Sequence, residues 1–440
     1  MSRIFTGPLE RALVVEEPHD SLDSHLESLG MTVHRKRGDA PDEAELIDLL
    51  QQTRAQVLFK RSRVPVTRRV VEACPDLLVV QLCCIGDDSV DKQACADHGV
   101  VVFNDPVSNG RSVVELVIAH LIGLSRRLYE TDAVCRTGAW NKTNLERYEV
   151  RGKVLGVLGL GNIGRASARI CEQLGMEIRF YDTREVAQEV GREFGWTPTE
   201  SIEELFETSD CVTVHVSARD AARNSNKALL SGGVLHRLGK RRPENSPRIF
   251  LNLSRGFLHT VEDLRSAVEA GAIRRAAVDV YPQEPRGKGD AWVNPYGDLR
   301  RVAVTPHLGA STQEAQPRIA ERVSRTLRRF SHRGAVRDCV FAPRATLGLG
   351  DDNRSAVGAV LVVVHSTARG TKRSIGDAIY AAGASNLSSV HRDFMEYGVA
   401  IDIAAIDTPL SESQLQLLCD EATRVTGRPD AIRSIRQIVG

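Results

Sequence analysis

Residues 153–182 read KVLGVLGLGNIGRASARICEQLGMEIRFYD, and this stretch decides the fold. Gly159, Gly161 and Gly164 follow the apolar run from Val154 to Leu158. A G-x-G-x-x-G spacing alone is weak evidence; its context makes it specific. Ile163, Ala166, Ile170 and Leu174 recur at helical spacing after it. Met176, Ile178 and Phe180 then alternate along a second strand that ends in Asp182. Such a βαβ unit suits a dinucleotide. Gly159 permits the tight turn, Gly161 lets the backbone approach a pyrophosphate, and Gly164 lets helix and strand pack closely. The helix N-terminus then holds the phosphates through free N–H groups and its dipole. Asp182 would accept hydrogen bonds from the adenosine ribose hydroxyls. Its charge repels a 2′-phosphate, so the expected cofactor is NAD; Arg184 nearby pulls toward NADP.

Strands alternate with helices on both sides of this stretch. RALVVEE, AQVLFKR, LLVVQLCCIG and VVVFND read as strands, with helices around Leu22–Leu29, AELIDLL and VDKQACADHG between them. A long apolar helix, SVVELVIAHLIGLSRRL, leads into the second set of βα units, from Lys153 to about residue 305. This rhythm predicts parallel sheets covered on both faces. Ser311 and Glu314 have capping-box spacing for a returning helix, with Ile319, Val323, Leu327 and Phe330 on one face. The last segment, from about Val357, reads β-α-β-β-α-β, a ferredoxin-like order. The expected fold class is therefore α/β, with two doubly wound parallel-sheet domains and a C-terminal ferredoxin-like α+β domain. The expected boundaries are 1–108 (substrate domain, first segment), 109–305 (Rossmann, NAD-binding), 306–340 (substrate domain, return), 341–356 (linker) and 357–440.

Composition excludes several classes. At 42% hydrophobic residues the chain can build cores, so global disorder is excluded. Lys and Arg total 58 against 57 Asp and Glu, so no net field draws nucleic acid or a membrane surface. The nine cysteines are scattered without a C-x-x-C pair, so neither a disulfide framework nor a zinc ribbon is expected. The charged N-terminus and the lack of a spanning apolar run predict a cytoplasmic protein.

Three residues fall just beyond strand ends in the nucleotide-binding half: Arg255 after RIFLNLSRG, Glu284 in AAVDVYPQEP and His307 in VAVTPHLGAST. Ligands of doubly wound sheets bind outside the carboxyl ends of strands. Each residue alone has a duller reading as a surface or turn residue. Together they suit hydride transfer from a 2-hydroxy acid. Arg255 can bind a carboxylate bidentately and polarise the reacting oxygen. His307 can take the hydroxyl proton, and Glu284 can orient and charge-stabilise the imidazole. No metal site is expected, since no second His or Cys stands at ligand spacing to His307.

GLGNIG, NLSRG, AAVDVYPQEP and TPHLGAST resemble the D-2-hydroxyacid dehydrogenases. KRSR, CCIG, FNDPVSNGRSVVELVI and GAWNK resemble the phosphoglycerate dehydrogenase branch of that family, over residues 10 to about 340. The resemblance implies Arg255, Glu284 and His307 as the catalytic set. It implies Asn162, Ile163, Leu253, Ser254 and Asp279 as further cofactor contacts, Asp279 near the nicotinamide amide. It implies Arg61, Arg63, Gly86, Asn109 and Lys142 around a phosphorylated substrate, a split flavodoxin-like substrate domain, and a homodimer or homotetramer. The C-terminal segment resembles an ACT domain. His365, Gly370 and Asn386 match its ligand-binding positions, whereas Thr367 replaces an Asn. Weak or absent serine binding is therefore expected. The chain departs from the family at Asp87-Asp88, in a longer basic turn over 232–247, and at Ser217. Dehydrogenation of another 2-hydroxy acid (hydroxypyruvate, glyoxylate, 2-hydroxyglutarate) and NAD sensing without catalysis are the alternatives.

Overall fold

A parallel strand buried on both faces needs apolar side chains on both sides, and the short apolar runs of this chain become such strands. The structure, a computed structural model, describes residues 2–220, 224–285, 291–341, 346–349 and 356–439. The chain divides into two units, 1–108 with 316–440, and 109–315.

The first unit begins with β1 (Arg3–Thr6), β2 (Arg11–Val14), β3 (Thr32–Arg35), β4 (Val57–Lys60), β5 (Val79–Leu82) and β6 (Val101–Phe103). The last five form a parallel sheet in the order β3-β2-β4-β5-β6, the flavodoxin-like arrangement. Helices α1 (Ser21–Glu27), α2 (Glu43–Thr53), α3 (Arg68–Ala73) and α4 (Lys92–Asp97) connect these strands.

The second unit opens with α5 (Gly110–Ser125) and α6 (Leu128–Arg136). Its sheet comprises β7 (Val154–Leu158), β8 (Glu177–Tyr181), β9 (Thr197–Pro198), β10 (Cys211–Val214), β11 (Ile249–Asn252), β12 (Arg275–Val278) and β13 (Val302–Val304). The order β13-β12-β11-β10-β7-β8-β9, all parallel, is the Rossmann topology with one added strand. The order reverses between β7 and β10, so the glycine turn after β7 stands at the switch point. Helices α7 (Asn162–Gln173), α8 (Glu185–Glu193), α9 (Ile202–Glu207) and α10 (Val261–Glu269) complete the unit, with separate apolar clusters around Phe250 and around Leu155.

One expectation is corrected in this unit. The face of α7 that is buried is Gly164, Ser167, Ala168 and Cys171; Ile163, Ala166 and Ile170 lie on its flank, and Leu174 is exposed. Small residues, not large ones, let α7 sit close to the sheet. The basic turn over 232–247 is pinned to its own unit: Arg237 and Arg241 pair with Glu207 at 2.6 and 2.8 Å, and Arg242 with Asp210 at 3.0 Å.

The chain rejoins the first unit at Gln316 rather than at 306, because the loop after β13 is tied to Asp279 of the second unit. Helix α11 (Ala315–Arg333) buries Ile319, Val323, Leu327 and Phe330 as expected. It starts later than the Ser311–Glu314 box implied: Thr312 Oγ1 accepts from Ala315 N at 3.2 Å. Most of the expected linker 341–356 lies outside the described residues. Around it, β14 (Val336–Arg337) pairs antiparallel with β15 (Thr346–Leu347).

The C-terminal segment runs β16 (Ala359–Ser366), α12 (Thr371–Ala381), β17 (Asn386–Phe394), β18 (Val399–Ile406), α13 (Glu412–Thr426) and β19 (Ile432–Val439). The sheet order β1-β19-β16-β18-β17 is ferredoxin-like with one addition: β1 pairs parallel with β19. The outer strand of this C-terminal sheet thus comes from the start of the chain.

Candidate active site

The glycine turn fits a dinucleotide. Gly159 has φ +92°, and a Cβ there would meet His215 O at 2.7 Å. A Cβ on Gly164 would fall 2.1 Å from Gly159 O, so only glycine lets α7 close onto the turn. At Gly161 the nearest atom to such a Cβ is Arg184 Nη2, at 4.0 Å, which leaves the approach to the helix N-terminus open. Asn162 lies exposed and Ile163 half-buried on the first turn of α7.

Asp182, at the end of β8, is 7% exposed. Its Oδ2 accepts from Leu160 N at 2.7 Å, which locks the carboxylate to the turn. Arg184 donates to it from Nε at 2.9 Å and from Nη2 at 2.7 Å. Burial alone would push the carboxyl up; the hydrogen bonds from Arg184 outweigh it and hold Asp182 below the ordinary aspartate value. Arg184 is thus Asp182's partner, a coupling that the sequence reading did not weigh.

Three loops at the carboxyl ends of β11, β12 and β13 carry Arg255, Glu284 and His307. Gly256 brings the first two together, since a Cβ there would lie 2.1 Å from the Tyr281 carbonyl. The loop after β11 is shaped by buried Asn252, whose Nδ2 donates to Arg255 O at 3.0 Å and whose Oδ1 accepts from Ser254 N at 3.1 Å. Ser254 Oγ donates to Val216 O at 2.5 Å, and Leu253 is buried. Arg255, half-buried, donates from Nη1 to Ser254 O at 3.0 Å.

His307 Nδ1 and Glu284 Oε2 are 2.8 Å apart. The hydrogen bond to Glu284 raises the imidazole above the ordinary histidine value, against burial, which lowers it. On the Glu284 side, burial pushes the carboxyl up, and the His307 hydrogen bond turns the balance downward, with Arg255 adding to it. His307 has φ +54°, an uncommon conformation held by the loop around it. Asp279 does the holding. Its Oδ1 accepts from Thr305 Oγ1 at 2.6 Å and Leu308 N at 2.7 Å, and its Oδ2 from Gly309 N at 2.9 Å. Both carboxylate oxygens are thus engaged by the histidine loop, a role beyond the expected amide contact. Tyr281 was also missed: its OH donates to Thr305 O at 2.9 Å, and its ring meets Trp292 edge-on at 4.9 Å. A Tyr after a strand carries no signal of this kind until the loops are placed.

The expected substrate residues fall in both units. In the first, Arg61, Arg63 and Gly86 lie beyond the ends of β4 and β5. Buried Glu16 accepts from Arg61 N at 2.8 Å and Arg63 N at 2.6 Å and so shapes the arginine loop. Asp87, one of the two acids at which the chain departs from the family, pairs with Lys92 at 2.9 Å. In the second unit Lys142 is exposed, and Asn109 is 7% exposed with its Oδ1 buried and unpartnered among the described residues.

This sheet and turn define a dinucleotide-binding α/β unit, and the comparisons specify it further. Residues 118–309 match the family described as D-isomer specific 2-hydroxyacid dehydrogenase, NAD binding domain. The chain is 31% identical over 411 residues to D-3-phosphoglycerate dehydrogenase of Escherichia coli K12, covering 92% of this chain and 94% of that one. It is 30% identical over 412 residues to D-3-phosphoglycerate dehydrogenase 1 of Saccharomyces cerevisiae, covering 91% and 83%. A glyoxylate reductase structure from Paecilomyes thermophila shares the fold, with a TM-score of 0.63 at 22% identity over 76% of this chain and 98% of that one. The chain belongs to the D-isomer specific 2-hydroxyacid dehydrogenases, on the branch of the phosphoglycerate dehydrogenases. It is an NAD-dependent enzyme acting on a small 2-hydroxy acid. No helix among the described residues is long and apolar enough to cross a membrane.

Proposed function

We propose that the protein oxidises D-3-phosphoglycerate to 3-phosphohydroxypyruvate, with His307 as the acid–base residue. The observation that carries this reading is the 2.8 Å contact of His307 Nδ1 with Glu284 beside the loop that holds Arg255. With Nδ1 engaged by Glu284, the ring works through Nε2, which takes the hydroxyl proton during oxidation and returns it in reduction. Arg255 holds the substrate carboxylate and polarises the reacting oxygen. NAD, bound over the glycine turn by Gly159, Gly161, Asn162, Ile163, Gly164, Asp182, Leu253 and Ser254, supplies the hydride acceptor. Asp279 keeps His307 in place. Arg61 and Arg63, beyond the end of β4, bind the phosphate. The exposed apolar side chains of Leu128, Tyr129, Val134, Trp140 and Leu145 support a homo-oligomer, and the nine free thiols suit the cytoplasm.

NADH absorbance with 3-phosphohydroxypyruvate tests the reading directly. Arg61→Ala and Arg63→Ala should each lower kcat/KM for the phosphorylated substrate by roughly tenfold to a hundredfold, the worth of one hydrogen bond to a charged group. An unphosphorylated 2-hydroxy acid should be unaffected. Equal losses on both substrates would remove the phosphate from the assignment.

A further inference from the structure

The C-terminal sheet carries a second group of titratable side chains, away from the nucleotide turn. His365 ends β16, His391 lies in β17, and Asp402 in β18. The antiparallel register sets His391 opposite Asp402 and His365 opposite Ala400, two residues along β18 on the same face. The two imidazole rings stack with centroids 5.4 Å apart and planes 24° apart. One nitrogen or oxygen from each of the three residues lies within 4.8 Å of the others.

The hydrogen bonding around this group is that of metal ligands. His365 is 2% exposed. Its Nδ1 is 2.7 Å from Ser366 O, a contact only a protonated nitrogen can make. Nε2 therefore carries a lone pair, and it is buried with no partner among the described residues. Asp402 is 4% exposed, and its Oδ2 lies 3.2 Å from His391 Nδ1. The other ring nitrogen, Nε2, meets Asp393 Oδ1 at 3.2 Å. Each histidine thus has one nitrogen on an outer acceptor, Ser366 O or Asp393, and His391 presents its other nitrogen to Asp402. Ligating histidines are oriented by such outer partners.

We propose that His365 Nε2, His391 Nδ1 and Asp402 Oδ2 form a binding site for a divalent cation of the Zn²⁺ class. Two imidazoles and one carboxylate suit such an ion, with a fourth position left for water. Binding displaces the proton between His391 Nδ1 and Asp402, and His391 keeps its Nε2 proton on Asp393. Lys372 Nζ, 4.0 Å from Asp402 Oδ2 on a half-exposed side chain, swings into solvent as the ion enters. The ion would bridge three strands of the sheet. The ligands come from three strands far apart in sequence, so spacing could not reveal them.

The test uses the full-length protein, freed of metal by chelator and titrated with Zn²⁺ by calorimetry, and with Co²⁺ by visible absorption. One site per chain, a tetrahedral Co²⁺ spectrum and a rise in melting temperature with Zn²⁺ are expected. His391→Ala and the isosteric Asp402→Asn should each weaken Zn²⁺ binding about a hundredfold or more, and Asp393→Asn about tenfold. The urea midpoint of the metal-free first unit should be close to that of the unmodified protein in all three, which checks that the sheet still folds. Lack of stoichiometric Zn²⁺ binding, or binding in Asp402→Asn or His391→Ala as tight as in the unmodified protein, overturns the proposal.

Discussion

At the scale of single residues, the proposed reaction gives one ion pair the proton chemistry and another the choice of cofactor. Oxidation needs neutral His307, and Glu284 holds its pKa above the ordinary histidine value. The rate of oxidation should therefore fall as pH drops below that raised value. Glu284→Gln removes the raising partner, so the acid limb of kcat/KM should move to lower pH while kcat falls; an unmoved limb would deny Glu284 this role. His307→Asn should lower kcat by about 10²–10⁴-fold, the usual contribution of a positioned acid–base group, with NADH binding retained. Wild-type turnover in that variant would end the assignment. Arg184 engages Asp182, the carboxylate assigned to the ribose hydroxyls, through Nε and Nη2. Arg184→Ala should widen the preference for NAD over NADP by about tenfold, the scale of one charged hydrogen bond. If kcat/KM with NADP is unchanged, Arg184 does not face the 2′ position.

At the scale of elements, the site depends on glycines that let loops meet. Gly256→Ala would place a Cβ 2.1 Å from the Tyr281 carbonyl, so the Arg255 and Glu284 loops must separate. Misplacing a catalytic group by about 1 Å can cost 10²-fold, so kcat should drop by about that factor with NADH binding intact. Gly271, at φ +70° with nothing within 4 Å, is the control: Gly271→Ala should cost about 1–2 kcal/mol of stability and no activity. Near-normal kcat in Gly256→Ala would show that the loops can yield. The βα units were legible in the sequence because strands buried on both faces read as apolar runs, and the glycine turn because its φ and close-approach demands leave only glycine. The buried face of α7 was not legible. A helix lying close on a sheet buries its small residues, and Gly164, Ser167, Ala168 and Cys171 give no hydrophobic period. Strand-end position pointed to Arg255, Glu284 and His307. It could not show Tyr281, Asn252 or the grip of Asp279 on the histidine loop, which exist only once β11, β12 and β13 lie side by side.

At the scale of the molecule, the least legible feature is β1. Its register of Arg3 with Ser434 joins the two ends of the chain, and no local pattern in SRIFTG announces it. Within the first unit, Arg3 is 9% exposed and donates to the carbonyls of Leu77 and Val71 near the edge of the flavodoxin-like sheet. Arg433 Nη1 donates to Ala96 O at 3.0 Å, and Ser434 Oγ to Gly99 O at 2.8 Å. The C-terminal sheet is thus fastened to the first sheet by buried side chains that reach backbone carbonyls. These carbonyls have lost water, so removing a donor leaves an acceptor unsatisfied at about 1–3 kcal/mol each. Arg3 serves two of them. Arg3→Ala should therefore lower stability by about 2–6 kcal/mol, read as a lower urea midpoint for the unit that contains both sheets, from the sum of those two losses. Arg3→Lys should recover part of the loss, because one ammonium cannot match the fork of a guanidinium on two carbonyls. The nucleotide-binding unit contains neither sheet, so NADH binding under native conditions should stay as in the unmodified protein. An unchanged urea midpoint in Arg3→Ala would mean that β1 is bound by its backbone pairing with β19 alone.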